Sequence, residues 1–155
     1  MKLILNTSHL PERVGGMKQT VDLLAEAGFD GIDFSAAANE EFYTEGAHPD
    51  DYYTELRAYA ESKGLAFLQA HAPHGSSFAE EERTEKRFFE IVTSMKNAAL
   101  LGVENIVVHP CQHLTFWEEG APERLFEINM AFYRRLLPYA EEYGIRHMDS
   151  KTTHR

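Results

Sequence analysis

Apolar residues are arranged along the chain in two alternating patterns. The first pattern consists of short continuous runs at Leu3–Leu5, Ala66–Leu68 and Ile106–Val108. Runs of this kind are typical of parallel strands that are buried on both faces. In the second pattern, which covers for example 17–25 and 88–99, apolar residues return every three or four positions, as they do in an amphipathic helix. The two patterns together predict strands that alternate with helices.

Glycines divide this pattern into repeated units. Each of four glycines follows a predicted helix and precedes a predicted strand: Gly28, Gly64, Gly102 and Gly144. Glycine is favoured just after a helix because it enters the left-handed conformation at little cost. The glycines recur at intervals of about 40 residues, the length of one strand–loop–helix unit. The strands are predicted at 2–6, 31–35, 65–71 and 104–109, with at most a stub of a fifth strand after Gly144. The helices are predicted at 15–27, 49–63, 84–101 and 121–143.

Two architectures are built from parallel βα repeats of this kind. The length of 155 residues favours a flavodoxin-like doubly wound sheet, because a complete TIM barrel needs roughly 250 residues. The motifs described below favour a truncated half TIM barrel of about four βα units and a stub of a fifth strand. The chain contains no linker, so we expect one domain over 1–146 and a polar tail over 147–155.

Composition and charge narrow the classes of partner. The net charge of −10, from 25 acidic and 15 basic residues, repels phosphate backbones, and no basic patch offsets it. We therefore expect no nucleic-acid partner. No segment reaches the ~18 continuous apolar residues of a membrane span, and the apolar run at the start is too short for a signal peptide. Cys111 is the single cysteine, which excludes an intrachain disulfide and a thiolate metal cluster. A cytoplasmic protein without a membrane partner is expected.

Candidate chemistry lies at the carboxyl ends of the predicted strands, which form the functional edge in both architectures. Counting seven residues on from the glycines reaches Ser35, His71 and His109 at equivalent positions. Imidazole is a good ligand for zinc or manganese, so His71 and His109 are candidate metal ligands and candidate catalytic residues. A single strand-end histidine is more often a polar residue satisfied by a loop carbonyl, but two in register make a metal or substrate site an equal alternative.

Further polar residues lie close to the same predicted edge. Asp33 alternates with apolar neighbours inside the second strand, and it either points into the barrel mouth, as a third catalytic candidate, or lies on a satisfied edge. Gln69 has the matching position in the third strand, where it could hydrogen-bond Asp33. His9 and His74 are candidate substrate contacts in loops, with solvated loop residues as the alternative. Trp117 is a candidate wall over the ligand, or it simply packs on the barrel rim.

Three motifs resemble a known family in their order and spacing. They are Gly28–Asp33 (GFDGID), His71–Gly75 (HAPHG) and Asn105–Pro110 (NIVVHP). These motifs resemble the second, third and fourth strands of the sugar phosphate isomerase/epimerase family of xylose-isomerase-like TIM barrels, to which apurinic endonucleases are related. The resemblance covers the N-terminal half of such a barrel. It implies a divalent metal at the barrel mouth, a small sugar-like ligand and proton or hydride movement between adjacent carbons. His71 and His109 correspond to strand-end histidines that bind substrate or, in the endonuclease branch, metal.

The sequence departs from the family after Ile145. The family carries a metal-binding glutamate at the end of its fifth strand, where the best alignment here places Ser150, with Asp149 adjacent. We therefore expect a truncated enzyme that is inactive alone, and a homodimer that covers the open face of the half barrel. The alternatives are a non-catalytic module for binding a small polar ligand or for assembly, and a metal-dependent phosphodiester hydrolase. The first loop, Asn6–Pro11, lacks the glycines of a phosphate cradle, so no nucleotide or flavin is expected.

Overall fold

The computed structural model describes residues 2–36, 40–111 and 118–149, and over these residues strands and helices alternate. The strands are Ile4–Asn6 (β1), Gly31–Ser35 (β2), Ala66–His71 (β3), Asn105–Val108 (β4) and Arg146–Asp149 (β5). The helices are Leu10–Val14 (α1), Met17–Glu26 (α2), Asp50–Ser62 (α3), Glu81–Leu100 (α4) and Ala121–Tyr143 (α5). A short 3₁₀ turn, Glu40–Phe42, precedes α3. None of the helices in these ranges is long and apolar enough to cross a bilayer.

The order of the strands decides between the two predicted architectures. All neighbouring strands are parallel, and their order in the sheet is the order in the chain, from β1 to β5. A flavodoxin-like sheet has the order 2-1-3-4-5, with β1 inside the sheet. Here β1 is an edge strand, so the doubly wound alternative is wrong. The sequential order is that of a TIM barrel, and the prediction of a half barrel is confirmed.

The hydrophobic core lies between the sheet and its helices. On the side of the sheet that faces the helices, Ile32, Phe34, Ile106 and Val108 are almost completely buried. Helix residues such as Val21, Leu56, Ile91, Met95 and Leu136 complete this core. Because side chains alternate along a strand, the residues between them face the opposite, concave side of the sheet. This concave side carries the polar residues of the candidate site.

An irregularity in β3 determines which of its side chains face the concave side. Ile32 pairs with Phe67, but the next residue, Asp33, pairs with Gln69, so Leu68 is an extra residue in β3. Simple alternation from the buried Phe67 would turn Gln69 and His71 toward the helices. The extra residue reverses the alternation, so Ala70 is buried in the core while His71 lies beside Asp33.

The first predicted helix is divided in two. Gly15 (φ +99°) ends α1, and Gly16 (φ +128°) precedes the first residue of α2. Two consecutive residues with positive φ interrupt a right-handed helix, and glycine adopts a positive φ without a steric penalty. The prediction of a helix over 15–27 therefore identified α2 and missed α1.

The fifth strand is longer than the predicted stub. β5 runs to Asp149 and pairs with β4 from Asn105↔Arg146 to Val108↔Asp149. Residues 147–149 of the predicted polar tail thus belong to the sheet. Backbone N–H and C=O groups provide this pairing, and they do so whatever the polarity of the side chains.

The other edge of the sheet is exposed. In β1, Ile4 and Leu5 are each 36% exposed, and the preceding residue, Leu3, is 54% exposed. In a closed barrel this edge pairs with another strand. An exposed apolar edge is a surface on which another strand or chain can pack.

Candidate functional site

Polar side chains from four neighbouring strands meet at the carboxyl edge of the sheet. Asn6 ends β1, Asp33 lies in β2, Gln69 and His71 close β3, and His109 follows β4. The pairs Asp33↔Gln69 and Ser35↔His71 bring β2 and β3 into the register that the glycine spacing predicts. The predicted register of His71 with His109 is wrong, because His71 pairs with Val107, two residues before His109. The two histidines still come together because parallel strands end at one edge.

Asp33 lies at the centre of this group. Its Oδ2 accepts a hydrogen bond from Asn6 Nδ2 at 2.9 Å and lies 3.2 Å from His71 Nε2. The side chain is only 10% exposed. Burial by itself raises the pKa of the Asp33 carboxyl, but hydrogen bonds from His71, Asn6 and Gln69 and the charge of His71 outweigh it, so the pKa is lowered. Asp33 is therefore ionised at neutral pH.

Both ring nitrogens of His71 are engaged. Because the Asp33 carboxylate can only accept hydrogen bonds, the neighbouring Nε2 of His71 carries a proton. Nδ1 lies 3.4 Å from His109 Nε2, and in the neutral ring it accepts the proton of His109. Protonation of His71 reverses this bond, and the Asp33 carboxylate stabilises the resulting imidazolium. Gln69 Nε2 lies 3.1 Å from His71 Nε2. Both nitrogens are donors in this tautomer, so they share the Asp33 carboxylate as acceptor and do not bond each other.

His109 and His74 form a pair of rings beside His71. The ring of His74 lies over that of His109 with centroids 4.2 Å apart and an interplanar angle of 31°. Burial, together with positive charge on His74 and His71, lowers the pKa of His109. His109 is therefore neutral at pH 7. Asp33, His71, His109 and His74 thus contact one another in series, and we call this series the histidine chain.

A sequence profile of the xylose isomerase-like TIM barrel family matches residues 21–148. The chain belongs to this family. Curated protein sequences show no significant match. The family match and the sequential strand order agree with the resemblance that the strand-end motifs indicated.

Three solved structures with the same fold indicate the kinds of protein that share it. The IolI protein with a bound zinc atom has a TM-score of 0.71 and 20% identity, with 96% of this chain and 51% of that chain covered. D-psicose 3-epimerase in the presence of D-fructose has a TM-score of 0.69 and 15% identity, with 95% and 51% covered. The 3-keto-D-glucoside 4-epimerase YcjR from E. coli has a TM-score of 0.72 and 17% identity, with 96% and 55% covered. This family member therefore spans about half the length of the structures that it matches, and at these identities the likeness shows the fold.

The remaining predicted residues have different positions. His9 lies away from the histidine chain: its side chain is 68% exposed and faces Glu12 of α1 at 3.9 Å. Trp117 lies outside the described residues. Asn6, in contrast, was not among the predicted site residues, although it donates to Asp33. Its position at the end of an apolar run, level with Asp33 in the next strand, is the signal that could have identified it.

The family and the zinc-bound neighbour raise the question of whether a metal fits. His71 Nδ1 and His109 Nε2 are 3.4 Å apart, and two nitrogens on a tetrahedral zinc, at about 2.05 Å from it, are separated by roughly the same distance. The pair thus matches two of the four ligands of such an ion. Within the described ranges, no group of three or more His, Cys, Asp or Glu side chains is placed to hold a metal ion. The imidazole pair fits a metal but does not complete a site.

Proposed function

We propose that this family member is the sugar-binding and proton-transferring half of a sugar or sugar-phosphate isomerase or epimerase. The observation that supports this proposal is the continuous chain Asp33–His71–His109 at the carboxyl edge of the sheet. TIM-barrel enzymes place their reactive groups at this edge. Two structures with this fold are sugar epimerases, which supports the reaction class.

In this proposal each residue of the series Asp33–His71–His109 has a distinct role. His109 is neutral at pH 7 and accepts a proton from a sugar hydroxyl or an activated carbon. It passes a proton on to His71 through the 3.4 Å contact. Asp33 is buried, so it acts through His71 by holding the ring and stabilising its charge. His74 orients the ring of His109 by stacking on it, and Gln69 helps to hold the Asp33 carboxylate. His9 and Trp117 remain proposed substrate contacts.

The same imidazole pair is the proposed metal-binding half-site. His71 and His109 would hold zinc or manganese, with the other ligands coming from outside the described residues. A divalent ion bound there would polarise a sugar carbonyl or hydroxyl oxygen. On this basis we propose that the half site does not turn over sugars alone. A second copy of this chain, packed on the concave side of the sheet, would supply a second set of the same side chains.

Elemental analysis of the purified protein tests the metal-binding part. We expect near-stoichiometric zinc or manganese after loading, and its loss in a His71→Ala/His109→Ala double variant. His48→Ala is the matched control, because His48 stacks on Tyr52 in the β2–α3 region, away from the histidine chain. Absence of metal after loading with both ions, or metal that the double variant retains, would refute the half-site.

Turnover of a ketose panel with added Mn²⁺ tests the reaction class. Activity that disappears in His109→Ala and survives in His48→Ala would support proton transfer by His109. Activity that survives in His109→Ala would exclude this histidine as the proton carrier.

The incomplete set of metal ligands favours a second candidate, a module that binds a small polar ligand without catalysis. This candidate predicts metal-independent binding of a ketose by calorimetry, with no isomer or epimer formed. The two candidates differ in whether EDTA abolishes ligand binding.

A further inference from the structure

The two site-bearing loops begin where the sheet hydrogen bonds end. Ala72 N donates to Val107 O at 3.0 Å, which extends the pairing of β3 and β4 by one bond. Beyond this bond, the segment after β3 reaches Pro73 and the segment after β4 reaches Pro110. Proline has no N–H to donate, so the sheet pairing stops here. The β3–α4 loop, which carries His74, and the β4–α5 loop, which follows His109, are therefore not held together by sheet hydrogen bonds.

Asn129 of α5 connects these loops. Its Oδ1 accepts a hydrogen bond from the backbone N of Cys111 at 2.6 Å and another from Ser76 Oγ at 3.2 Å. Cys111 is 2% exposed and Ser76 is completely buried. One amide oxygen thus joins the β3–α4 loop, the β4–α5 loop and helix α5. Hydrogen bonds shielded from water in this way hold their partners in a defined geometry.

Both connected residues lie two positions after a histidine of the site. Ser76 follows His74 across Gly75, and Cys111 follows His109 across Pro110. On the other side of the loop, Arg87 Nη1 donates to His74 O at 2.5 Å. The His74 and His109 rings, stacked at 4.2 Å, lie between these anchors. The spacing of the ring pair depends on how far apart the two loops are held.

We infer that Asn129 is a positioning residue that keeps the His74 and His109 rings stacked and thereby aligns His109 with His71. The functional meaning of this alignment rests on the proposed function, whereas the alignment itself does not. Asn129 acts through the two loops and touches neither ring.

Selective ¹³C labelling of the histidine rings gives a direct readout. In Asn129→Ala we expect the ring cross-peaks of His74 and His109 to shift, and that of His48 to stay in place. In Asn129→Asp we expect the wild-type positions to be retained, because a carboxylate oxygen accepts both hydrogen bonds. Single histidine variants assign the peaks.

Asn97→Ala is the matched control. Asn97, on α4, also makes two hydrogen bonds, to Phe42 O at 2.9 Å and to Tyr53 Oη at 3.1 Å, but it lies away from the histidines. We expect this variant to lose stability without shifting the His74 and His109 peaks. Ser76→Ala, which removes only the 3.2 Å bond, is the milder variant if Asn129→Ala does not fold, and we expect it to shift the His74 peak.

Unmoved His74 and His109 peaks in a folded Asn129→Ala, or equal shifts in Asn97→Ala, would overturn the inference. If Asn129→Ala does not fold, an unmoved His74 peak in Ser76→Ala would overturn it. Where zinc binds, we further expect Asn129→Ala to weaken its binding about tenfold, as loss of a supporting residue commonly does. A protein that binds no zinc but shows the predicted peak shifts would refute the metal half-site and leave the role of Asn129 intact.

Discussion

At the scale of single residues, Asp33 is the group on which the candidate site depends. It is buried and lies within reach of donors from the strands on either side of it, β1 and β3. A buried carboxylate is costly unless it is paired and hydrogen-bonded. Asn6 and His71 provide such partners for Oδ2, whereas Oδ1 is buried without a hydrogen-bond partner among the described residues.

Asp33→Asn tests this dependence. The amide is neutral, so the hydrogen bonds that Asn6 and His71 donate to Oδ2 are no longer strengthened by the negative charge. We expect a loss of about 1–3 kcal/mol in the free energy of unfolding, measured by urea denaturation. Asp30→Asn is the control: Asp30 is exposed and accepts one hydrogen bond, from Leu3 N, so a smaller change is expected. Equal effects at the two positions would show that the strand-end network is not stabilising.

At the scale of secondary structure elements, the bulge in β3 is the feature that forms the site. Leu68, the extra residue, packs across the first residue of β2. A Cβ atom at Gly31 would lie 2.7 Å from Leu68 Cδ1 and 2.9 Å from Ala66 O. The absence of a side chain at Gly31 therefore lets β2 and β3 pair around the bulge.

Gly31→Ala should destabilise the protein by about 1–3 kcal/mol, because the methyl group overpacks the strand pair. Chemical denaturation measures this cost. In a double-mutant cycle with Leu68→Ala, the two substitutions together should cost less than the sum of the single costs. Additive costs would mean that the side chain of Leu68 does not press on Gly31.

The packing of α4 on α5 includes an ion pair whose contribution depends on pH. Arg135 donates to both oxygens of Glu85, at 2.7 and 2.8 Å. These hydrogen bonds lower the pKa of Glu85. A lowered pKa in the folded state means that the stabilisation is complete above the usual glutamate pKa of about 4.3 and is lost as the pH falls through the folded value.

Comparing wild type with Glu85→Gln across pH tests this linkage. We expect wild type to be more stable at pH 7, and we expect the difference to shrink as the pH falls below about 4.3. In an Arg135→Gln background, the pH-dependent part of the difference should be absent. A difference that stays constant down to acid pH would exclude the ion pair as its source. Thermal unfolding followed by circular dichroism at a series of pH values is sufficient for this measurement.

At the scale of the whole molecule, the sheet is covered by helices on one side, and its β1 edge is exposed. Ile4 is 36% exposed on the concave side. Association would bury this apolar surface, but the net charge of −10 on each copy opposes it. Salt screens such repulsion.

We therefore expect a dimer in light scattering at micromolar concentration, and we expect its dissociation constant to fall as salt is added. Ile4→Glu should shift the protein toward monomer. Phe126→Glu is the control: Phe126 is 67% exposed on α5, outside the concave face, so its substitution should leave the dimer in place. A monodisperse monomer at all salt concentrations would refute the proposed partner.

Much of the architecture was determined by the sequence itself. The apolar runs and the glycines that follow the helices predicted the strands and the large helices, because burial patterns and glycine conformation are local properties of the chain. The same spacing placed Asp33 level with Gln69, and Ser35 level with His71, as the observed register confirms. It also placed His71 level with His109, which is wrong, since His71 pairs with Val107 and His109 lies two residues further along.

Only the tertiary structure decided the rest. The place of β1 at the edge of the sheet, the pairing of β5, and the contribution of Asn6 to the Asp33 network depend on contacts between segments far apart in the chain. His9, close to Asn6 in sequence, turned away from the site toward Glu12. The spacing of residues along a strand determines which positions are level with one another, but the direction of each side chain depends on the bulge and on the neighbouring strand that it packs against.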